Sequence, residues 1–440
     1  MLDKRIVLVG HFGGGGEAVR KEEFVKTLAE RAQKAKVKLL IIENSGANAG
    51  LEIDSSEHIF CVEYACRFPF DLKACFLGVL SILSGFLISF HDTVELLSRE
   101  CLYAKDYTRS TWIKRFARVV SGWGRMKAVI HGISLSSNDI LVTWGEVPTL
   151  HQLLRKEADK VHAGQVIAEY GELQACFFLS EAGLFADAWP TTQKPKFQKL
   201  ELSRKNKETA KLLRCSSREN KISNKQYSDE LGDLSSWICQ RKVIFVPGLY
   251  SLGAGVAPSW STLARRNSPF FADNLDLLRA VARVAERHGW VVLYKDHPNT
   301  SSYTPNRQIL EPPSKNVRIL GNVDIYDVLE ASNIMVSLAS KSVFLALFCE
   351  IPVVLAAPFT ISGHDLAFEL ASDEELESKI VDAMDSDVDI QRLDDFNGRL
   401  MQYYLYSLNA GESYFERGPI DAADDLISFV KGERKHVSIG

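Results

Sequence analysis

RIVLVGHFGGGGEA, residues 5–18, carries the plainest signal of the chain's architecture. It opens as a run of β-branched and apolar residues, breaks into glycines, and gives way to a charged helical pattern over Glu17 to Ala35. A strand apolar on both faces, followed at once by a loop and a helix, is the βα unit of a parallel sheet. Gly13, Gly15 and Ala18 satisfy G-x-G-x-x-G/A, and Glu43 ends the next strand, VKLLIIEN, where a ribose-binding acid would sit. Glu43 comes 30 residues after Gly13, longer than the usual ~20. The mechanical content is broader than a dinucleotide. Glycines admit close approach of the backbone to a ligand, and a helix start favours anionic groups. A two-domain sugar transferase can use such a loop, here His11, Gly13, Gly14 and Gly15, for its acceptor or for the sugar being moved. A plain glycine-rich turn is the other reading.

Strand and helix patterns continue outward from this unit. KAVIHGI, DILVTW and QVIAEYG read as strands, with a helix over Thr149 to Val161. A strand restarts at KVIFVPG, and a helix over Asn274 to His288 follows it. WVVLYK, NVRIL, NIMVSL and IPVVLAA then alternate with the helices DIYDVLEAS and Lys341 to Cys349. Alternation of this kind argues for parallel sheets with helices on both faces. The expected architecture is α/β, with two Rossmann-type doubly wound domains facing a central cleft. The first spans 1–192 and the nucleotide-type domain 242–395. Residues 194–225 hold eleven Lys/Arg against three Glu, so 193–241 reads as a basic connector with some helix, partly mobile. Residues 396–440 read as helices packing back across both domains. SDEE at Ser372 to Glu375 matches a capping box, and MDSDVD at Met384 to Asp389 reads as a solvated turn.

Totals narrow the class. At 440 residues, 46% apolar and 25% charged, the chain is of globular type, and a formal charge of -4 gives no bias toward nucleic acid. Its eight cysteines form no CxxC pair, no Cys/His cluster has zinc spacing, and no secretory leader is read in MLDKRIVLVG. A cytoplasmic protein with reduced thiols, no metal and no resident cofactor is the expectation. Ala74 to Phe90, ACFLGVLSILSGFLISF, is uncharged over 17 residues, and its glycines and serines favour a buried helix over a membrane span. Beyond it, residues 105–127 carry Lys105, Arg109, Lys114, Arg115, Arg118, Arg125 and Lys127 against Asp106, interleaved with Trp112, Phe116 and Trp123. Such a helix either lies on the anionic inner-membrane face or is a solvated surface.

Three groups carry chemistry. VVLYKDHP ends a buried strand on Lys295 and His297, where open α/β sheets bind ligands. His297 can donate to a phosphate oxygen and Lys295 adds charge, on the same side only if the strand stays regular. VSLASKSVF places Ser337, Ser340 and Ser342 between a strand and a helix, as anion donors or as simple caps. Glu169, in AEYGEL, ends a strand of the first domain, placed for base or nucleophile work, with Glu172, Glu181 and Asp187 as less favoured neighbours.

The EYG strand end, the K-x-H-P strand end and the serine-rich helix start, in this order over Asp139 to Gly363, resemble bacterial GT-B glycosyltransferases that use CMP-activated acids. The likeness is to the Kdo transferases of capsule and O-antigen assembly and, more distantly, to bacterial polysialyltransferases. It implies that His297 contacts the CMP phosphate, that Ser340 and Ser342 grip the nucleotide with Lys295 adding charge, and that Glu169 is the catalytic-side carboxylate. It also implies a glycan or glycolipid acceptor at the inner membrane. The chain departs from this pattern in VPGLYSLGAGVA, where relatives often carry polar or acidic residues and this loop has no carboxylate. The stereochemical course therefore stays open. Two other functions compete: an NAD(P)-dependent oxidoreductase built on the glycine loop and Glu43, and a non-catalytic scaffold of the same fold.

Overall fold

The structure, a computed structural model, describes residues 4–10, 12, 19–43, 59–63, 72–88, 90–107, 112–173, 175–223, 234, 236–297, 311–321, 323–408 and 414–437. The chain divides into two compact units, Met1–Leu184 with Met401–Gly440, and Phe185–Leu400. The first unit begins with β1 (Arg5–Gly10), α1 (Val19–Ala35), β2 (Lys38–Glu43) and β3 (Ile59–Glu63). Three helices follow, α2 (Leu72–Ile88), α3 (Phe90–Tyr107) and α4 (Trp112–Ile133). β4 (Asp139–Trp144), α5 (Thr149–Val161), β5 (Gly164–Tyr170) and β6 (Cys176–Ser180) continue it. The second unit holds β7 (Val243–Pro247), β8 (Val291–Lys295), β9 (Val317–Leu320), β10 (Ile334–Ser337), β11 (Val353–Leu355) and β12 (Phe368–Glu369). β13 (Leu405–Ser407) and a helix at Pro419–Lys431 then return to the first unit.

Among the described residues the first sheet runs β13-β6-β5-β4-β1-β2-β3. β5, β4, β1, β2 and β3 are parallel; β6 is antiparallel to β5, and β13 to β6. β1 shows why the opening stretch folds this way. Ile6 and Leu8 point into a core with Phe24 and Leu28 of α1 and Leu426 and Val430 of the last helix. Val7 and Val9 point to the opposite core, with Trp123, Ile130 and Leu154. Period-two alternation thus buries both faces of one strand, and each such side chain contributes about 1.5–3 kcal/mol.

The second sheet runs β12-β11-β10-β7-β8-β9, and every adjacent pair is parallel. Counted from its own first strand this is the order 6-5-4-1-2-3, the doubly wound arrangement of a dinucleotide-type fold. One face packs against the helix Asn274–His288, through Leu277, Leu278 and Val281. Asp273 caps this helix at Asp276 N, and Gly289 ends it at φ 69°, a left-handed position that suits glycine. Both units are therefore Rossmann-type α/β, as the alternation implies.

Several local expectations are corrected. KAVIHGI is the end of α4 rather than a strand, because its apolar residues Ile130 and Ile133 follow a helical face begun at Trp123. α2 is not wholly buried: Ala74 and Gly78 pack on α4, while Phe76, Leu77, Val79, Leu80 and Leu83 are exposed. No helix among the described residues is long and apolar enough to cross a membrane. Residues read as a connector supply the helix Arg204–Ser223 to the second unit, tied there by buried Arg214 to Asp394. The tail read as helical contains β13, paired through Leu405↔Phe178 and Tyr406↔Phe177. β6 was not read as a strand, and Ser372 makes no side-chain cap in front of the helix Leu376–Met384.

Candidate functional site

In the second sheet the strand order reverses between β7 and β10, and the crevice beyond the carboxyl ends at such a reversal is where open α/β sheets take ligands. The loops after β7, β8 and β10 stand at this edge. β8 and β10 flank β7 on either side, so the turns after them lie about 10 Å apart at ordinary strand spacing.

The loop after β7 begins at Gly248, whose N–H donates to Lys295 O at 2.6 Å. A Cβ on Gly248 would fall 2.4 Å from His297 N and 2.6 Å from Asp296 Cα, so two backbones touch here and only glycine fits. His297 is half-buried, with its ring stacked on Tyr250 at 6.4 Å between centroids. β8 ends on half-buried Lys295, and the chain turns at Asp296. Asp296 Oδ1 accepts the Tyr294 hydroxyl at 2.9 Å and the His297 N–H at 3.1 Å. Strand alternation therefore does not extend to His297, and its direction is set by this turn. Burial and the neighbouring Asp296 push the Tyr294 phenol well above its ordinary range, so it stays a proton donor. Asn274, at the start of the helix Asn274–His288, donates to Pro247 O and to the Tyr294 hydroxyl, joining the ends of β7 and β8.

After β10, Ser340 and Ser342 come together, their hydroxyls 2.7 Å apart. Ser340 O accepts Val343 N–H at 3.0 Å, closing the turn into the seven-residue helix Ser342–Phe348. The helix is short and Lys341 offers it no side-chain cap. The two hydroxyls and the exposed Lys341 ammonium are thus the polar groups of this turn. Ser337 is buried within β10, its carbonyl taken by Ala356 N–H.

Glu169 belongs to the first unit, half-buried at the end of β5. Its Oε1 accepts the N–H of Tyr170 at 2.9 Å. Its Oε2 lies 3.1 Å from where a Cβ on Gly145 would stand. Gly145, at φ 81°, turns the chain out of β4 and leaves the space that the carboxylate occupies. His151 holds this turn from below, its ring nitrogen Nδ1 bonded to Gly145 O at 2.9 Å. Full burial drives the His151 pKa down to about 4, so the ring is neutral and its Nδ1–H is the donor. At the end of the same strand, Lys21 Nζ sits 4.9 Å from the Trp144 ring and 5.0 Å from the Tyr170 ring. This cation on two aromatic faces lies at the strand edge of the first sheet.

His11, Gly13, Gly14 and Gly15 lie outside the described residues, as does Pro298. Of the less favoured acids, Asp187 pairs with Arg266 at 2.8 Å, and Glu181 binds His436 and Val437 of the chain's last segment. Sequence reading missed Gly145, Gly248, Tyr250 and Lys21. The first two left a signal, a glycine directly after each strand in TWG and VPG; Tyr250 and Lys21 left none.

No protein-family model matches the chain, and no curated protein matches it. Among solved structures it is similar to KpsC of Thermosulfurimonas dismutans, a beta Kdo 2,7 transferase, at 17% identity over 69% of this chain and 89% of that one, with a TM-score of 0.41. It is similar to WaaG, a glycosyltransferase involved in lipopolysaccharide biosynthesis, at 11% identity over 97% and 100%, with a TM-score of 0.32. It is also similar to the UDP-GlcNAc 2-epimerase of Methanocaldococcus jannaschii, at 9% identity over 91% and 99%, with a TM-score of 0.33. Identities this low leave the chemistry to be argued from the chain's own residues.

Proposed function

We propose that the chain is a glycosyltransferase that moves an acidic sugar, Kdo, from its CMP donor to a hydroxyl of a surface-polysaccharide or lipopolysaccharide acceptor. The observation that carries this reading is the convergence of Gly248, His297 and the Ser340–Ser342 turn at the reversal point of a 6-5-4-1-2-3 sheet. Hydroxyls, an imidazole and the Lys295 ammonium suit a phosphate monoester, which leaves with two negative charges and gains from fixed donors. In the reaction the anomeric C–O bond to CMP breaks, charge builds on the phosphate, and an oxocarbenium-like centre forms on the sugar. His297, Ser340 and Ser342 hold the departing phosphate. Glu169 takes the proton of the acceptor hydroxyl as the new C–O bond forms. No metal is assigned to this reaction, and the donor is a co-substrate. The acceptor is lipid-linked, and the chain works at the cytoplasmic face of the inner membrane.

Calorimetry and thermal melting test the donor site. CMP or CDP at a hundredfold excess over Kd raises the stability of the unit that binds it by about 2.7 kcal/mol, and NAD does not. His297→Ala abolishes the CMP effect. Stabilisation by NAD alone favours the oxidoreductase reading and ends this one. Turnover of CMP-Kdo with a glycolipid acceptor separates an enzyme from a scaffold. Glu169→Gln lowers kcat by about 10²–10⁴-fold with CMP affinity unchanged. An unchanged kcat removes Glu169 from the chemistry.

A further inference from the structure

α2 and α4, on either side of α3 in sequence, pack antiparallel with their helix backbones touching. A Cβ on Gly78 would fall 2.1 Å from Val120 O, and one on Gly124 would fall 2.0 Å from Ala74 O. Trp123 closes the seam, buried, with its Nε1–H donated to Ser81 Oγ at 3.2 Å. Ala74, Gly78 and Ser81 of α2 are therefore used inward, and Phe76, Leu77, Val79, Leu80 and Leu83 are left outward. Phe76 is 64% exposed, Leu80 48% and Leu83 55%. The register set by 74 against 124 and 78 against 120 brings Leu80 and Leu83 level with Arg118, Phe116 and Lys114 of α4. Of these, Lys114, Phe116 and Arg118 are exposed, and so is Ile113. Between Leu72 and Ile88 the only charge is Lys73, and the first turn of α4 holds no acid.

An apolar strip of this extent on a monomer marks a docking surface. Its rim is cationic, so a symmetric second copy would set like charges against one another, whereas an anionic bilayer neutralises them. At 17 residues α2 is about 25 Å long, too short to cross the hydrocarbon core and suited to lying in the interface. We propose that the α2–α4 pair is a membrane-docking surface. Phe76, Leu77, Leu80 and Leu83 enter the boundary between headgroups and acyl chains, and Lys114 and Arg118 meet the phosphates of anionic lipids. The inserting element is the apolar helix, with the basic helix as its rim. This surface stands or falls independently of the donor reading.

Flotation of the full chain with phosphatidylcholine vesicles, with and without phosphatidylglycerol, tests it, alongside sedimentation of the lipid-free protein. The wild-type chain is expected to float with the mixed vesicles. Lys114→Glu/Arg118→Glu lowers the partition coefficient by about tenfold or more, with the loss shrinking in ~1 M salt. Leu80→Asp/Leu83→Asp abolishes flotation at either salt while its melting curve stays that of wild type, since both side chains are outside the core. A Leu80→Trp variant shifts its emission to the blue on the mixed vesicles. Flotation unchanged in Leu80→Asp/Leu83→Asp overturns the proposal. So does a lipid-free dimer that this variant dissolves, because the strip would then be a contact between copies.

Discussion

Gly248 is the residue on which the proposed donor edge turns. It has no positive φ to excuse it; its lack of a side chain lets the β7 loop lie on the backbone of Asp296 and His297. Gly248→Ala forces one of the two loops to move by several tenths of an ångström or more, at a cost of about 1–3 kcal/mol. The expected outcome is a lowered urea midpoint together with weakened CMP binding, read by the same titration for both variants. A Gly248→Ala protein that binds CMP as wild type does would mean the His297 loop is not where the phosphate is held. Gly145 works in another way, since at φ 81° it both turns the chain and clears space for Glu169. Lys295, His297, Ser340, Ser342 and Glu169 were legible because each sits where a strand pattern stops, and a stop is a local signal. Tyr250, Lys21 and His151 were not, since what matters about each is a partner in another element.

At the scale of elements, short apolar runs bounded by turn residues read as strands and charged periodic runs as helices, and β1, β7, β8 and β10 were readable for that reason. The failures share one cause. KAVIHGI alternates well enough for a strand, but Trp123, Met126 and Ile130 place it on a helical stripe that only the packed core displays. Likewise, Arg204–Ser223 is so rich in cations that it reads as part of a connector, yet it belongs to the second unit and is tied there by one buried pair. Arg214 Nε and Nη2 donate to the two oxygens of Asp394 at 2.9 and 3.0 Å, and both side chains are more than nine-tenths buried. Asp394→Ala leaves that guanidinium without its bidentate partner and is expected to destabilise the second unit by about 3–5 kcal/mol. Chemical denaturation followed by circular dichroism measures this. A loss below that of an exposed control pair, such as Arg204 with Glu208, would show that the helix is held mainly by its apolar face.

For the whole molecule, each unit contains a buried histidine kept neutral by burial: His151 in the first, and His364, bonded to Pro190 O at 2.9 Å, in the second. Both have folded pKa values below the ordinary one, so the unfolded chain takes up protons first as pH falls. The stability they contribute is complete above an unfolded pKa of about 6.5 and is lost on the way down. For His151 the loss is spread from about pH 6.5 to about 4 and amounts to roughly 3 kcal/mol. His151→Gln is expected to flatten the acid limb of the first unit's stability profile, and an unchanged slope would place the sensitivity elsewhere.

The edge strand β13 has a consequence for how the molecule is made. Leu405–Ser407 completes the first sheet against β6, and the helix Pro419–Lys431 covers α1 with Leu426 and Val430. Both are translated only after the whole of Phe185–Leu400. At a synthesis rate of about 5–20 residues per second, the nascent first sheet waits ten seconds or more, with β6 open at its edge and Phe24 and Leu28 of α1 uncovered. The second unit, contiguous in sequence, is free to fold first on the ribosome. The unit that is first in sequence is therefore the last to be finished, and during that interval its open strand edge is the one exposed to mispairing.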